Sequence, residues 1–144
     1  MAEKYPFEVV FHPGAPQIEV SAWEPTLLLM ADVVERYHIN LKRVKMHYHK
    51  KKRTRWGTKH PFGETEYWDG YITLCANDFD TALHELAHVW SRNRHTDKWA
   101  RCYLMLIERY LPREDFFYRL NKAKKDYKPC ARMAHLFEFA DDDE

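Results

Sequence analysis

Cysteine is scarce in this sequence, and its distribution excludes several classes of small protein. Cys75, Cys102 and Cys130 are the three cysteines among 144 residues, and they form no C-x-x-C pair. This argues against a disulfide-stabilised scaffold, a zinc knuckle and a thioredoxin-like redox site. We expect three reduced thiols, buried or nearly so, in a reducing compartment. A cysteine metal ligand is the alternative.

Long hydrophobic runs and a secretion signal are also missing. No run approaches the roughly 18 apolar residues that a membrane span needs. Residues 1–6 lack the charged-then-apolar layout of a signal peptide. We therefore expect a cytoplasmic protein that does not enter a membrane. The formal net charge of +1 at pH 7 points to no charged partner for the chain as a whole, and the sequence predicts no particular oligomeric state.

Glycine is scarce too, with four residues, whereas aromatic residues are abundant. The chain has five Trp, nine Tyr and eight Phe, and 45% of its residues are hydrophobic. This composition excludes a low-complexity chain and allows a substantial core. At this length we expect one domain over residues 1–140, followed by a solvated acidic tail over residues 141–144.

The spacing of apolar residues predicts an α+β fold. Alternating apolar and polar residues are typical of strands, whereas apolar residues at i, i+3, i+4 and i+7 are typical of helices. The predicted strands cover residues 7–11, 44–48, 54–58 and 71–75, and the predicted helices cover residues 25–38, 78–93, 97–111 and 113–125. A turn is expected at residues 61–63, and residues 1–22 are otherwise irregular or extended. We expect a small antiparallel sheet just before the helix over residues 78–93.

That helix carries the most informative segment of the chain, His84-Glu85-Leu86-Ala87-His88, which reads H-E-x-x-H. Histidines four residues apart lie on one helix face, so both imidazoles can bind one Zn²⁺ ion. Glu85 can then act as general base on a water at the metal. The bare pattern arises by chance in a chain rich in His and Glu, but here it lies beside an apolar helical stripe. The alternative is a surface helix with two ordinary histidines.

A third ligand is expected, because a catalytic zinc usually takes three protein ligands and leaves one position open. His95 follows His88 by seven residues, where the helix should end and the chain can turn back towards the metal. Glu108, on the next predicted helix, is the alternative, since three His or two His and one Glu are both known ligand sets. A further group that assists the reaction is left open among Tyr71, Tyr103 and His60.

These motifs resemble the core of the SprT-like and WLM-type zinc metallopeptidases. Residues 81–88, TALHELAH, and 95–99, HTDKW, are similar to a family layout in which H-E-x-x-H is followed by a third histidine and an aromatic residue. Trp56-Gly57 and the strand before the active helix also resemble the SprT-like layout. The resemblance covers about residues 54–111. It implies a zincin-like fold, a peptidase activity and DNA-bound substrates in some relatives. Thr96 stands where many relatives have glycine, and the gap before His95 differs from that of metzincins.

A basic segment precedes the motif. Nine of the 23 Lys and Arg residues fall within residues 42–59, with no acidic residue between Lys42 and Gly63. We expect a hairpin that contacts DNA, because phosphates attract such a segment and aromatic side chains stack on unpaired bases. The residues predicted to make these contacts are Lys45, Lys50, Lys51, Lys52, Arg53, Arg55 and Trp56. The alternative is a solvated hairpin whose lysines maintain solubility.

The sequence therefore predicts a zinc-dependent peptidase that hydrolyses polypeptides with Glu85 as general base. The alternative is a non-catalytic zinc-binding or nucleic-acid-associated structural or assembly module that uses the basic segment 42–59. A third possibility is a nucleic-acid binder that does not need the histidines. Zinc content measured together with peptide cleavage separates these hypotheses.

Overall fold

The computed structural model describes residues 4–11, 17–46, 52–54, 57–59 and 63–137 of the chain. The strands in this part are β1 (Glu8–Phe11), β2 (Arg43–Met46), β3 (Lys52–Thr54), β4 (Gly57–Lys59), β5 (Gly63–Glu66) and β6 (Tyr71–Leu74). The helices are α1 (Gln17–Ala22), α2 (Glu24–Tyr37), α3 (Phe79–Ser91), α4 (Asp97–Tyr110), α5 (Arg113–Asp126) and α6 (Lys128–Met133), followed by a 3₁₀ helix at Ala134–Leu136. The predicted acidic tail lies outside the described residues.

Four strands form one mixed sheet in the order β1–β2–β6–β5, and β3 and β4 pair separately. The β1–β2 and β2–β6 pairs are parallel, whereas β5–β6 is antiparallel. The α+β class with a small sheet is confirmed, but within this sheet only the β5–β6 pair is antiparallel as expected. Parallel neighbours need a long crossover connection, which α1 and α2 provide between β1 and β2.

The predicted strands differ from the observed ones mainly around the basic segment. β1, β2 and β6 confirm three predicted strands with shifted ends. The single strand predicted over residues 54–58 is wrong, because the chain reverses there and Thr54 of β3 pairs with Gly57 of β4. β5 has no predicted counterpart, since its sequence Gly-Glu-Thr-Glu shows no apolar alternation.

The four predicted helices correspond to α2, α3, α4 and α5, with ends that differ by at most two residues. α2 ends at Tyr37 because His38 adopts a left-handed conformation with φ 53°. The six-residue helices α1 and α6 have no predicted counterpart. None of the helices among the described residues is long and apolar enough to cross a membrane.

Helix α3 occupies the centre of the fold. It contacts β5 and β6 of the sheet as well as α2 and α4. Its buried apolar residues are Ala82, Leu83, Leu86, Ala87 and Val89. The Asn77 side chain just before α3 accepts a hydrogen bond from the Thr26 hydroxyl at 2.5 Å and donates one to the Ala22 carbonyl at 2.8 Å. The start of α3 is thereby attached to α1 and α2.

The turn between β5 and β6 depends on Gly70. This residue has φ +74°, and a Cβ atom there would lie 2.6 Å from the Asn40 carbonyl oxygen. Any other residue would meet both a backbone conformation and a contact that only glycine accepts. The Gly70 carbonyl in turn accepts hydrogen bonds from the backbone of Lys42 and Arg43, at 2.8 and 3.2 Å. The turn therefore attaches β5 and β6 to the start of β2.

Asp78 caps α3, and its removal should lower stability. Its side chain accepts a hydrogen bond from the Thr81 backbone N–H at 2.7 Å, as expected for an N-cap. We expect Asp78→Ala to lower the free energy of unfolding by about 1 kcal/mol in urea denaturation. Asp78→Asn is the matched control and should retain most of that stability, because asparagine caps almost as well. Equal stability of the Ala variant and the parent chain would show that the cap is not needed.

Candidate metal centre

Helix α3 carries the H-E-x-x-H residues on two neighbouring faces, where Glu85 and His88 are buried and His84 is partly buried. His84 and His88 lie one turn apart with their ring centroids 5.1 Å from each other. Glu85 points to a different side of the helix, where it is 6% exposed and lies against β5. The four-residue spacing thus puts two imidazoles on one face, and the intervening carboxylate lies on the neighbouring face.

The chain returns to these histidines immediately after α3. Arg92 ends the helix in a left-handed conformation with φ 54° and ψ 42°, and α4 begins five residues later at Asp97. The intervening loop carries His95. Thr96 caps α4 by accepting a hydrogen bond from the Trp99 N–H at 3.3 Å. The tight turn between two capped helices brings the His95 ring to within 4.7 Å of the His88 ring centroid.

The three histidines point the same ring atom at one another. The His95 Nε2 atom lies 3.1 Å from His84 Nε2 and 3.3 Å from His88 Nε2. In His88 the other nitrogen, Nδ1, donates to the Asn93 carbonyl at 2.7 Å. This bond leaves the lone pair on Nε2, which is how metal-binding histidines are usually oriented.

This arrangement fits a zinc ion. Two nitrogens bound to a tetrahedral zinc at about 2.0–2.1 Å are about 3.3–3.4 Å apart, and three protein ligands leave one position open. The His84–His95 and His88–His95 Nε2 distances, 3.1 and 3.3 Å, are close to that value. Among the described residues, these histidines are the group of metal-binding side chains whose ligand atoms lie within 4.8 Å of one another. The cysteines are free thiols and are not part of it.

Burial lowers the pKa of all three imidazoles and so favours their uncharged form. It lowers the pKa of His84 to about 3, and the nearby His88 and His95 act in the same direction. Burial, followed by the charge of His88, lowers the pKa of His95 to about 4. Burial also lowers the pKa of His88, against the opposing hydrogen bond to Asn93. Neutral imidazoles are the form that binds a metal, so no proton has to be displaced at pH 7.

Trp99 of α4 packs against the three histidine rings. Its indole is fully buried, lies nearly parallel to the His88 ring, and meets the His84 and His95 rings edge-on with centroids 4.8 and 4.5 Å away. Its Nε1–H donates to the His84 carbonyl at 3.2 Å. One aromatic side chain therefore contacts all three rings and limits their rotation.

A polar contact between Tyr103 and Asp80 supports the position of Trp99. The Tyr103 ring stacks on Trp99, and its hydroxyl donates to the Asp80 carboxylate. Arg119 Nη1 lies 3.5 Å from the other Asp80 oxygen. Burial raises the pKa of Asp80, whereas Tyr103 and Arg119 lower it. These contacts join α3, α4 and α5 beside the site. The Tyr103 hydroxyl, one of the assisting groups proposed from sequence, is hydrogen-bonded to Asp80.

Glu85 is held at the edge of the site by β5. The Thr65 hydroxyl donates to Glu85 Oε1, while Oε2 lies 4.0 Å from His84 Nε2. One carboxylate oxygen is therefore attached to the sheet, and the other faces the histidines. This contact is not visible in the sequence, because Thr65 lies twenty residues before Glu85 on a strand without an apolar pattern.

Tyr127 is a second site residue that sequence reasoning missed. It lies between α5 and α6, and its ring stacks on His95 with centroids 4.5 Å apart and an interplanar angle of 26°. Burial raises its pKa, as do the carboxylates of Asp126 and Glu85. Of the three assisting groups proposed from sequence, Tyr71 instead packs against Arg43, whose guanidinium carbon lies 4.0 Å from the centroid of the Tyr71 ring. His60 lies outside the described residues.

The remaining predicted residues lie elsewhere or outside the described part of the chain. Glu108 lines a small cavity with Arg113, Phe116 and Phe117 and does not belong to the histidine group. In the basic segment, Lys45 is exposed on β2, and Lys52 and Arg53 belong to β3. The predicted DNA-contact residues that lie outside the described part are Lys50, Lys51, Arg55 and Trp56.

Comparisons with known proteins support the fold. No protein-family model matches the chain, and no curated protein matches its sequence. Among solved structures, the chain is similar to the crystal structure of a Wss1 mutant from Saccharomyces cerevisiae, with a TM-score of 0.57 and 18% identity. The match covers 74% of this chain and 92% of that one. At this identity the likeness shows the fold alone, and that fold is consistent with the zincin-like arrangement expected.

The choice of third ligand can be tested by zinc affinity. We expect His95→Ala to weaken zinc binding by about 100-fold or more, because loss of even an outer-shell partner of a ligand costs 10–100-fold. Glu108→Ala is the matched control and should bind zinc like the parent chain. Competition with a chromophoric chelator measures both. The reverse pattern would make Glu108 the ligand and His95 a bystander.

Proposed function

We propose that this chain is a zinc-dependent peptidase of the SprT-like or WLM-type kind. The observation that carries the proposal is the approach of His84 Nε2 and His88 Nε2 to His95 Nε2, at 3.1 and 3.3 Å, beside a Glu85 carboxylate oxygen 4.0 Å from His84 Nε2. The H-E-x-x-H motif and the structural likeness to Wss1 support it.

His84, His88 and His95 would hold the zinc. When bound, zinc would act as a Lewis acid, which polarises a carbonyl and lowers the pKa of water towards neutral pH. The hydrogen bond from His88 Nδ1 to the Asn93 carbonyl and the contacts with the Trp99 ring keep the imidazoles in place for this task. Three ligands leave one position for the reacting groups.

Glu85 would move the proton. Its Oε2 faces the histidines and can accept a proton from the water that attacks the peptide carbonyl, then deliver it to the leaving amine. A single carboxylate can do both because only its protonation state changes between the two steps. The bond from Thr65 holds Oε1, so the oxygen assigned to this exchange is the one that faces the histidines.

A polypeptide is the substrate class that the surroundings favour. β5 is an outer strand of the four-stranded sheet, and its residues contact Glu85. An extended peptide can add to such an edge through main-chain hydrogen bonds, irrespective of most of its side chains. This would lay the peptide alongside the histidines in an orientation suited to cleavage.

Replacing the general base should separate turnover from zinc binding. We expect Glu85→Gln to keep stoichiometric zinc and to lower kcat about 10²–10⁴-fold, because a positioned proton acceptor is worth that factor. Hydrolysis of a mixed fluorogenic peptide library measures activity, and atomic absorption measures zinc. Removal of zinc from the parent chain with a chelator should abolish hydrolysis, and adding zinc back should restore it.

Two results would contradict this function. Hydrolysis by Glu85→Gln at the parent rate would refute the assigned base. Stoichiometric zinc in a parent chain that cleaves none of the peptides would favour the alternative, a non-catalytic zinc-binding structural or assembly module.

We further propose that the basic segment over residues 42–59 binds single-stranded DNA. Its support is the concentration of nine basic residues there, with Tyr48 and Trp56 among them. In this proposal Lys45, Lys50, Lys51, Lys52, Arg53, Arg55 and Trp56 make the contacts. Phosphates supply the affinity, and stacking on Trp56 adds to it.

Salt dependence tests this second proposal. We expect the affinity for an oligothymidine to fall by about 0.7 log units per log unit of salt for each phosphate neutralised. Changing Lys50, Lys51, Lys52 and Arg53 to Gln should weaken binding and flatten the salt slope. The same change at Arg101, Arg109, Lys122 and Lys125, which are exposed on α4 and α5, is the matched control. A flat salt response in the parent chain would contradict the proposal. Binding that survives loss of His84 and His88 would show that it is independent of the metal.

A further inference from the structure

Strand β5 touches the Glu85 side chain at two alternate residues. The Thr65 hydroxyl donates to Glu85 Oε1 and lies 3.5 Å from the Glu85 backbone carbonyl. Thr65 is half-buried, and Glu85 is 6% exposed. A hydrogen bond to a buried carboxylate is stronger than one between neutral groups, because the acceptor is charged and little water competes.

Gly63 contacts the same side chain from the other end of the strand. A Cβ atom at position 63 would lie 2.9 Å from Glu85 Cγ, 3.1 Å from Cδ and 3.0 Å from Oε2. Real Cβ atoms do not approach so closely, so any side chain at position 63 would push the carboxylate away. Glycine is required here for reasons of space, because the three atoms nearest to such a Cβ all belong to the Glu85 side chain.

The strand geometry explains why these two residues act together. Residues two apart in a strand point to the same face, and residues paired across strands share that face. Gly63 pairs with Leu74 and Thr65 with Ile72, and both partners are buried on the face that α3 covers. Thr73, between them, points to the opposite face. The short strand therefore presents an open space at Gly63 and a hydroxyl donor at Thr65 to α3, two residues apart.

We propose that β5 is a clamp that positions the Glu85 carboxylate: Gly63 leaves the space that it occupies, and Thr65 fixes the oxygen turned away from the histidines. This inference rests on the proposed peptidase function and deepens it. Neither residue touches substrate in the proposal, so both are positioning residues. A misplacement of about 1 Å in a reacting group can cost about 100-fold in rate, which gives such a clamp a catalytic consequence.

The first test measures the contact without using activity. In the full-length, zinc-loaded chain, Thr65→Val should lower the folding equilibrium constant about tenfold or more, because a hydrogen bond to a charged group is lost. In a Glu85→Ala background the same change should have little effect. Gly63→Ala should follow the same pattern, since the crowding disappears with the Glu85 side chain. A double-mutant cycle by urea denaturation gives the coupling for each pair.

The second test measures the catalytic consequence. Thr65→Val and Gly63→Ala should lower kcat for a cleaved fluorogenic peptide by about 100-fold with little change in KM or zinc affinity. Thr65→Ser keeps the hydroxyl and should restore most of kcat, which a merely structural role would not explain. Thr73→Val, on the opposite face of the neighbouring strand, is the matched control and should leave kcat unchanged.

Each outcome decides between the clamp and the peptidase function. Absence of coupling between Glu85 and both Thr65 and Gly63 would overturn the clamp, whether or not the chain cleaves peptides. Coupling with an unchanged kcat in Thr65→Val would overturn its positioning role. Coupling in a parent chain that cleaves no peptide would leave Glu85 clamped and refute the peptidase function instead.

Discussion

The contact between Trp99 and the three histidines is the interaction on which the candidate metal centre depends. The chain has to leave α3, turn and start α4 within a few residues for this contact to form. Arg92 turns the chain in a left-handed conformation that costs a residue other than glycine about 1–2 kcal/mol. The bond from His88 Nδ1 to the Asn93 carbonyl and the Thr96 cap offset part of this cost. Because Trp99 is fully buried, the core itself fixes the position of the rings.

The site lies between two structural supports of different character. On one side, α3 and α4 bury a continuous set of apolar residues, and the contact between Tyr103 and Asp80 extends this support to α5 through Arg119. On the other side, the described residues place the four-residue edge strand β5 against Glu85. The three histidines contact the first support, and the Glu85 carboxylate contacts the second. In the proposed peptidase, zinc binding and turnover would therefore be altered by substitutions in different parts of the molecule.

Much of the helical framework could be predicted from the sequence, because it is encoded locally. The caps Asp78 and Thr96 and the apolar spacing of α3 and α4 define these helices without reference to the rest of the chain. Strand direction was not predictable, since an alternating pattern specifies a buried face and not the orientation of a neighbour. β5 escaped prediction because its residues serve Glu85 and a sheet edge instead of the apolar core. Tyr127 escaped because a residue between two helices carries no periodic signal.

In the proposed peptidase, strand β5 would have two tasks, and this has a thermodynamic consequence. β5 holds Glu85 through one face, and its outer edge in the four-stranded sheet is where an extended peptide would pair in that proposal. A peptide that stiffens this strand would also narrow the range of carboxylate positions, and a correctly placed carboxylate would favour the strand geometry that accepts the peptide. Such coupling free energies are reciprocal. Binding of the peptide main chain and correct placement of the Glu85 carboxylate would then be cooperative. Both would depend more on the backbone conformation of the peptide than on its side chains.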